Sequence, residues 1–294
     1  MTTAVFYAYY ETPQSRLNLE FFAQVGLADH PDTTFVIVVN GGRCSVALPE
    51  RERCLVLRRE NRGFDFGAHA HGLAFLAERL GCSVEELPFD HFVFLNSGAA
   101  GPFLPSYYPK ERHWTRVLTA RLSERVKLVG PSIVCLPPWD SGGYGPRVEG
   151  YCFATDRVGL GVLVRQGSVF ADHPTKFSAI VEGEYGLTRA ILAAGFTVDC
   201  LLSKYQGIDW TDPANWNQNE NRHPSREGTY EGISIHPFEV VFHKWYWSDH
   251  PDRPVAGEYV ERYMRWKLDE LRRGRSRHSA PGIGPQGTGL DDEK

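Results

Sequence analysis

Between Ala4 and Asn40 the chain reads "AVFYAYYETPQSRLNLEFFAQVGLADHPDTTFVIVVN", and this stretch decides the fold. Its two ends, 4–10 and 33–40, are almost unbroken runs of apolar and aromatic residues. The segment between them, "SRLNLEFFAQVGL" (15–27), has helical character. A continuous apolar run marks a strand buried on both faces, so strand, helix, strand in this order predicts a parallel sheet covered by helices. A third run, "RCLVLRREN" (53–61), extends the pattern, and a helix at "FGAHAHGLAFLAERLG" (66–81), stopped by Gly81, leads to a fourth, "HFVFLN" (91–96). Right-handed crossovers would bring the carboxyl ends of these strands to one edge, where ligands of open α/β sheets bind.

Past residue 105 the pattern changes. The residues predict a helix near 112–125, a strand at 126–136, a Pro/Gly-rich surface loop "PPWDSGGYGP" (137–146) and a strand at 148–154. A helix follows at 178–196 with Gly195 as its stop, then a polar loop (211–232), the apolar "VVFHKWYW" (240–247) and an amphipathic helix near 256–272. From Arg273 the chain turns basic, then Gly/Pro-rich, then acidic, which reads as a disordered tail, 273–294. The expectation is one α/β domain over 1–272: a Rossmann-like, mixed but mostly parallel sheet sandwiched by helices, its halves meeting near residue 105.

A chain of 294 residues can bury roughly three quarters of its unfolded surface, so a real core is available. With 23% charged residues and a net charge of −4, the composition advertises neither a nucleic-acid surface nor disorder. The six cysteines, at 44, 54, 82, 135, 152 and 200, include no Cys-x-x-Cys pair and read as reduced, mostly core residues. No run of about 20 apolar residues occurs, so no membrane span is expected and the default is a cytoplasmic protein.

Four constellations could carry chemistry. In "RRENRGFDFGAHAHGL" (58–73) a strand end passes through Asn61, Gly63 and Gly67 into a helix, so backbone could approach a phosphate at the helix amino terminus. The competing reading is that the glycines allow close strand–helix packing; Asp65 between two phenylalanines has no packing reason. Neither the Gly-x-Gly-x-x-Gly nor the Gly-x-x-x-x-Gly-Lys-Ser/Thr spacing occurs. His69 and His71, two apart on a helix, point to nearly opposite sides and read as ordinary histidines. The fourth strand ends at Asn96, Ser97 and Gly98, small residues that leave room for a diphosphate or metal. In "EGEYGLTRAILAAG" (182–195), Glu182 and Glu184 sit at the front of a helix, either to suit its dipole or to take a proton from a hydroxyl. Finally, "HPFEVVFHKWYW" (236–247) combines stacking aromatics with His236, His243 and Lys244.

Taken together, "ENRGFDFGAHAHGL", "FDHFVFLNSGAAGPFLP" and "EGEYGLTRAILAAG" resemble the GT-A class of nucleotide-sugar glycosyltransferases, most closely the rhamnan-synthesis-F-like group and related algal-virus enzymes, over Ala4 to Trp247. The resemblance implies a GT-A-like fold with a nucleotide-binding half (about 1–105) and an acceptor half (about 106–272). It puts Tyr9, Glu11, Arg59, Asn61, Gly63, Asp65, Gly67 and Lys244 on the nucleotide sugar, with Trp139 and Tyr144 stacking on the acceptor. It makes Glu184 the general base, with Glu182 in reserve. Asn96-Ser97-Gly98 falls where such enzymes carry an Asp-x-Asp that holds Mn²⁺ or Mg²⁺ against the diphosphate. Asn96 and His243, with His236 as alternative, would then be the metal ligands, although a neutral amide is a weaker partner for a hard cation than a carboxylate. Asp65 or Glu149 could supply the missing charge, or Arg58, Arg59 and Lys244 could neutralise the diphosphate instead.

The expected activity is therefore transfer of a sugar from a nucleotide donor to a saccharide hydroxyl, with inversion, in polysaccharide biosynthesis. The rival is a non-catalytic nucleotide-sugar or glycan-binding protein on the same fold. A nucleotidyltransferase is disfavoured, because no Gly-rich, Lys/Arg-bearing triphosphate loop stands near the first strand.

Overall fold

A computed structural model describes residues 1–244 and 255–278. The described residues form nine strands, β1 (Thr3–Tyr10), β2 (Thr33–Asn40), β3 (Cys54–Arg59), β4 (His91–Asn96), β5 (Val126–Gly130), β6 (Ile133–Leu136), β7 (Gly145–Val148), β8 (Cys152–Asp156) and β9 (Thr197–Cys200). Its helices are α1 (Pro13–Val25), α2 (Phe64–Leu80), α3 (Arg116–Thr119), α4 (Arg157–Arg165), α5 (Lys176–Ser178), α6 (Tyr185–Ala193), α7 (Pro237–Val240) and α8 (Val255–His278), with a π-helical turn, Ala179–Glu184, between α5 and α6. Seven strands make one sheet in the order β3-β2-β1-β4-β8-β5-β9, while β6 and β7 form a separate hairpin. The pairs β3–β2, β2–β1, β1–β4 and β5–β9 are parallel; β8 runs antiparallel to both its neighbours. The fold is thus the expected mixed, mostly parallel α/β sheet in one domain. Because β2 and β3 lie on one side of β1 and β4 on the other, the strand order reverses between β1 and β4, a topological switch point at the carboxyl edge.

The apolar runs alternate between two cores. Ala4, Phe6, Ala8, Val36, Val38, Phe92 and Phe94 pack with α2, α4 and α6 on one face. Val5, Tyr7, Tyr9, Phe35, Ile37, Val39, Val93 and Leu95 pack with α1 and α3 on the other. Every second residue faces the same side of a strand, so burial on both faces is what makes the runs continuous. Phe94 stacks on Phe6 and Phe153, with ring centroids 5.1 and 4.8 Å away, and full burial of each such ring is worth about 1.5–3 kcal/mol. Gly81 closes α2 in the left-handed conformation, φ 68°, its N–H donating to Ala77 and Glu78 carbonyls. Cys54, Cys135, Cys152 and Cys200 are buried and all six thiols are free. Among the described residues no helix is long and apolar enough to cross a membrane.

Several elements depart from expectation. The helix near 112–125 shrinks to α3, because His113 and Trp114 turn inward and the Trp114 indole donates to the Gly26 carbonyl at 2.9 Å. The strand expected at 126–136 breaks at Gly130-Pro131. Proline cannot donate to a ladder, and a Cβ on Gly130 would lie 2.5 Å from Val148. The strand expected at 148–154 also breaks, at Glu149-Gly150-Tyr151, between β7 and β8. The helix at 178–196 contains the π turn, and α8 continues through 273–278, so the first six residues assigned to a disordered tail are helical. Trp245, Tyr246 and Trp247 of the apolar run, and the tail beyond His278, lie outside the described residues.

Candidate functional site

A cavity of about 460 Å³ opens at the carboxyl end of β4, lined by Asp65, Asn96, Glu149, Glu184, His223 and Lys244 among others. Six segments deliver these groups, His223 coming from the polar 211–232 loop. Asp65 is in the first turn of α2, Asn96 is the last residue of β4, Glu149 occupies the break between β7 and β8, and Glu184 ends the π turn. Lys244 follows the bridge that pairs Ala100 with His243. A π turn carries an extra residue per turn and re-aims the side chains that follow it, which is why such turns collect at functional sites.

The strand tip is a stapled turn. Asn96 Nδ2 donates to Asp65 Oδ2 at 2.7 Å, and Asn96 Oδ1 accepts from the Gly98 N–H at 3.0 Å. Ser97 N–H donates to the Ala8 carbonyl at 2.9 Å, while the fully buried Asn18 amide donates to the Ser97 carbonyl at 2.9 Å. The asparagine explains itself: an aspartate here would face Asp65 carboxylate to carboxylate, whereas the amide N–H gives Asp65 the positive partner a cation would otherwise supply. The donor set does not fit a hard divalent ion, since Asn96 turns its nitrogen to Asp65 and its oxygen to Gly98. Among the described residues no three His, Cys, Asp or Glu side chains are spaced to hold a metal.

Glu184 is half-buried, and its Oε1 accepts from the Gly150 N–H at 2.9 Å. Burial raises its carboxyl above the ordinary carboxylate range, against the opposing pull of Lys244 and the Gly150 N–H. A Cβ on Gly150 would come 3.0 Å from the Glu184 side chain, so any larger residue here would crowd it. Glu149 is the opposite case. It is 2% exposed, and burial alone would push its carboxyl up, but donors surround it: His223 Nδ1 at 3.2 Å and Ser225 Oγ at 2.5 Å on Oε1, Ser132 Oγ at 2.5 Å on Oε2. Together they win and hold it down to about 2. Lys244 Nζ lies 5.9 Å from the centroid of Tyr151, whose hydroxyl is 3.2 Å from Ser132 Oγ. Asp140, Lys176 and Arg226 complete the charged lining.

Of the expected residues, the cavity gathers Asp65, Asn96, Glu149, Glu184 and Lys244. Others go elsewhere. Glu182 is exposed on the π turn, its carboxylate 4.0 Å from His173 Nδ1, and does not line the cavity. Arg59 is committed to Asp172 at 2.6 Å and to the Gly67 carbonyl. Gly63 and Gly67 serve packing: a Cβ on either would lie 2.2 or 2.4 Å from Asp172 Oδ1, and Gly63 bridges to His173. Tyr9 is core, its hydroxyl donating to Glu11 at 3.3 Å, and Glu11 is held by Arg43 at 2.7 Å and the Ser45 N–H at 2.5 Å. Asn61 and Arg58 remain at the sheet edge, Arg58 donating to the Gly42 carbonyl. His243 is buried and, with His236, lines a second, apolar cavity against α8 rather than standing beside Asn96.

Trp139 is 85% exposed at the tip of the β6–β7 hairpin loop, and Tyr144 packs edge-on against Trp216. Buried Arg147 holds this loop by donating to the Gly142 and Gly143 carbonyls at 2.8 and 2.9 Å. The residues the sequence did not announce, His223, Ser225 and Arg226, come from the polar 211–232 loop, which has no periodicity to read. No protein-family model matches this chain, and no curated protein matches it.

Proposed function

We propose that this chain is a glycosyltransferase of GT-A-like fold that moves a sugar from a nucleotide-sugar donor to a saccharide hydroxyl with inversion, in cytoplasmic polysaccharide biosynthesis. The observation that carries this reading is Glu184: a carboxyl raised by burial, with one oxygen fixed by the Gly150 N–H, in a charged cavity beside the switch point of the sheet. A carboxylate made more basic by its surroundings suits removal of a hydroxyl proton in the transition state. As the acceptor oxygen bonds to the anomeric carbon, the bond to the diphosphate breaks with its electron pair, and the acceptor's proton passes to Glu184. Trp139, exposed at the hairpin tip, offers a flat face to the acceptor ring. Asn61 and the half-exposed ring of Tyr10, at the ends of β3 and β1, flank the route for the nucleotide.

The Asp65–Asn96 pair also favours a second reading, a nucleotide-sugar or glycan-binding protein, because its charge is already met by an amide. Glu184→Gln separates the two. Glutamine still accepts from Gly150 but cannot take a proton, so turnover falls by roughly 10²–10⁴-fold with donor binding retained. Unchanged turnover removes Glu184 from the mechanism; binding without turnover by the wild type, across a panel of nucleotide sugars, favours the binding protein.

A further inference from the structure

Asp140 is a carboxylate of the cavity that the Glu184 chemistry does not use. Half-buried, it reaches the lining from the loop between β6 and β7. Its Oδ1 accepts from the Gly142 N–H at 2.7 Å, while Oδ2 takes no hydrogen bond or ion pair among the described residues. The loop is fixed relative to Glu184. A Cβ on Gly142 would lie 2.2 Å from the ring of Tyr185, the residue after Glu184, so the turn that holds Asp140 is pressed against the end of the π turn. The Gly143 N–H donates to the Asp140 carbonyl at 2.9 Å, and Arg147, 3% exposed, donates to the Gly142 and Gly143 carbonyls. The preceding residue, Trp139, is 85% exposed. An indole next to a carboxylate with one open oxygen suits a sugar, whose C–H face packs on the ring while a hydroxyl donates to the charge.

We propose that Asp140 selects the acceptor, its Oδ2 accepting a hydrogen bond from a hydroxyl of the acceptor sugar other than the one that attacks; this rests on the glycosyl-transfer reading above. The substrate class is a neutral saccharide with a second free hydroxyl beside the reacting one. A uronic acid brings a further carboxylate up to Asp140 and Glu184 and is refused. A site built to bond a hydroxyl discriminates against the analogue lacking it, because its carboxylate then loses water without gaining a partner. The competing role for Asp140 is structural. Burial holds the guanidinium of Arg147 down to about 10, and Asp140, with Tyr185, opposes that fall. The two roles differ in how a variant responds to a change of substrate: loss of a support weakens every acceptor alike, whereas loss of a contact weakens only the acceptors that make it.

The test screens UDP-, GDP- and dTDP-hexoses against methyl glycosides for acceptor-dependent release of nucleoside diphosphate, then replaces each hydroxyl of the best acceptor in turn by hydrogen. With the wild type, removal of one hydroxyl other than the attacking one should cost roughly 10–100-fold in kcat/KM. Asp140→Asn keeps the shape and an oxygen for the Gly142 N–H. It should raise the acceptor KM about tenfold with kcat and the donor KM unchanged, and its penalty on that deoxy sugar should shrink by the same factor. The matching methyl uronoside should be a poor acceptor for the wild type and a better one for Asp140→Asn. An unchanged acceptor KM, parent and deoxy sugars weakened by one common factor, or a uronoside used as well as the neutral sugar overturns the proposal and leaves glycosyl transfer standing. If Asp140→Asn does not fold, the wild type decides alone: a series in which only the attacking hydroxyl matters overturns the proposal. No acceptor-dependent release from any donor overturns the transfer reading, and this proposal with it.

Discussion

Acidification to pH 5.5 should cost this fold a large part of its stability, through histidines that have no place for a charge. His69, on α2, is 1% exposed among Phe66, Phe94 and Phe153, with ring centroids 6.1, 5.1 and 6.3 Å away, and neither ring nitrogen has a partner. Burial holds it down to about 4, against the weaker pull of Asp65. His113 is held to about 4 as well, by burial and then by His30, with Nδ1 on Thr115 Oγ1 at 3.0 Å and Nε2 unpartnered. Both rings are neutral in the fold and protonate near 6.5 in the unfolded chain, so below that value the unfolded state binds more protons and stability falls with pH. One unit below 6.5 the linkage is worth about 1.4 kcal/mol per histidine, about 3 kcal/mol for the two. Urea midpoints at constant slope between pH 7.5 and 5.5 measure this, with His69→Leu as the control. That variant removes two unsatisfied buried nitrogens, so it should be at least as stable as the wild type at pH 7.5 and should lose about 1.4 kcal/mol less on acidification. A flat wild-type curve, or an equal fall in His69→Leu, would refute the reasoning.

Glu149→Leu leaves three donors facing an apolar side chain and should cost on the order of 3–5 kcal/mol, read as a lower thermal midpoint with earlier proteolysis in the 211–232 loop. Gly63→Ala forces a left-handed alanine, φ 69° in the glycine, against the Asp172 backbone 2.7 Å from its Cβ; a loss of about 2 kcal/mol or more in urea unfolding is expected, and wild-type stability would discard the packing role. Asn96→Asp sets two carboxylates where one amide N–H now sits, so its thermal midpoint should fall by several degrees in chelator and recover on adding MnCl₂, whereas the wild type should respond to neither. A variant indifferent to Mn²⁺ would mean that the tip does not take a cation even when given the charge.

The fold was legible because its signal is local. In β1, β2 and β4 nearly every residue is buried on one face or the other, so the apolar runs in the sequence are the strands themselves, and Gly81 marks the end of α2 by a left-handed conformation that glycine adopts more easily than other residues. The second half misled wherever a tertiary demand cut a run that looked continuous. Pro131 and the Glu149-Gly150-Tyr151 segment both lie within apolar sequence, and hydrophobicity cannot show that the chain leaves one sheet for another there. The 112–125 segment failed for the converse reason: Trp114 and His113 are anchored in the core by contacts to Gly26 and Phe35, residues far away in the chain.

The same break explains why the partners of Glu149 could not be read. Glu149 and Gly150 are useful because they interrupt a strand: the interruption frees a carboxylate to bind His223 and a backbone N–H to hold Glu184, while the flanking β7 and β8 keep both rigid. Asp65, Asn96 and Glu184 were visible as polar residues at element ends. His223 and Ser225 sit in a polar loop where nothing distinguishes them from their neighbours until Glu149 is placed beside them. Gly63 and Gly67 show the limit from the other side, since a glycine beside a phosphate and a glycine beside Asp172 look alike in one dimension. What separates them is the occupant of the missing Cβ, and here that is the protein's own carboxylate.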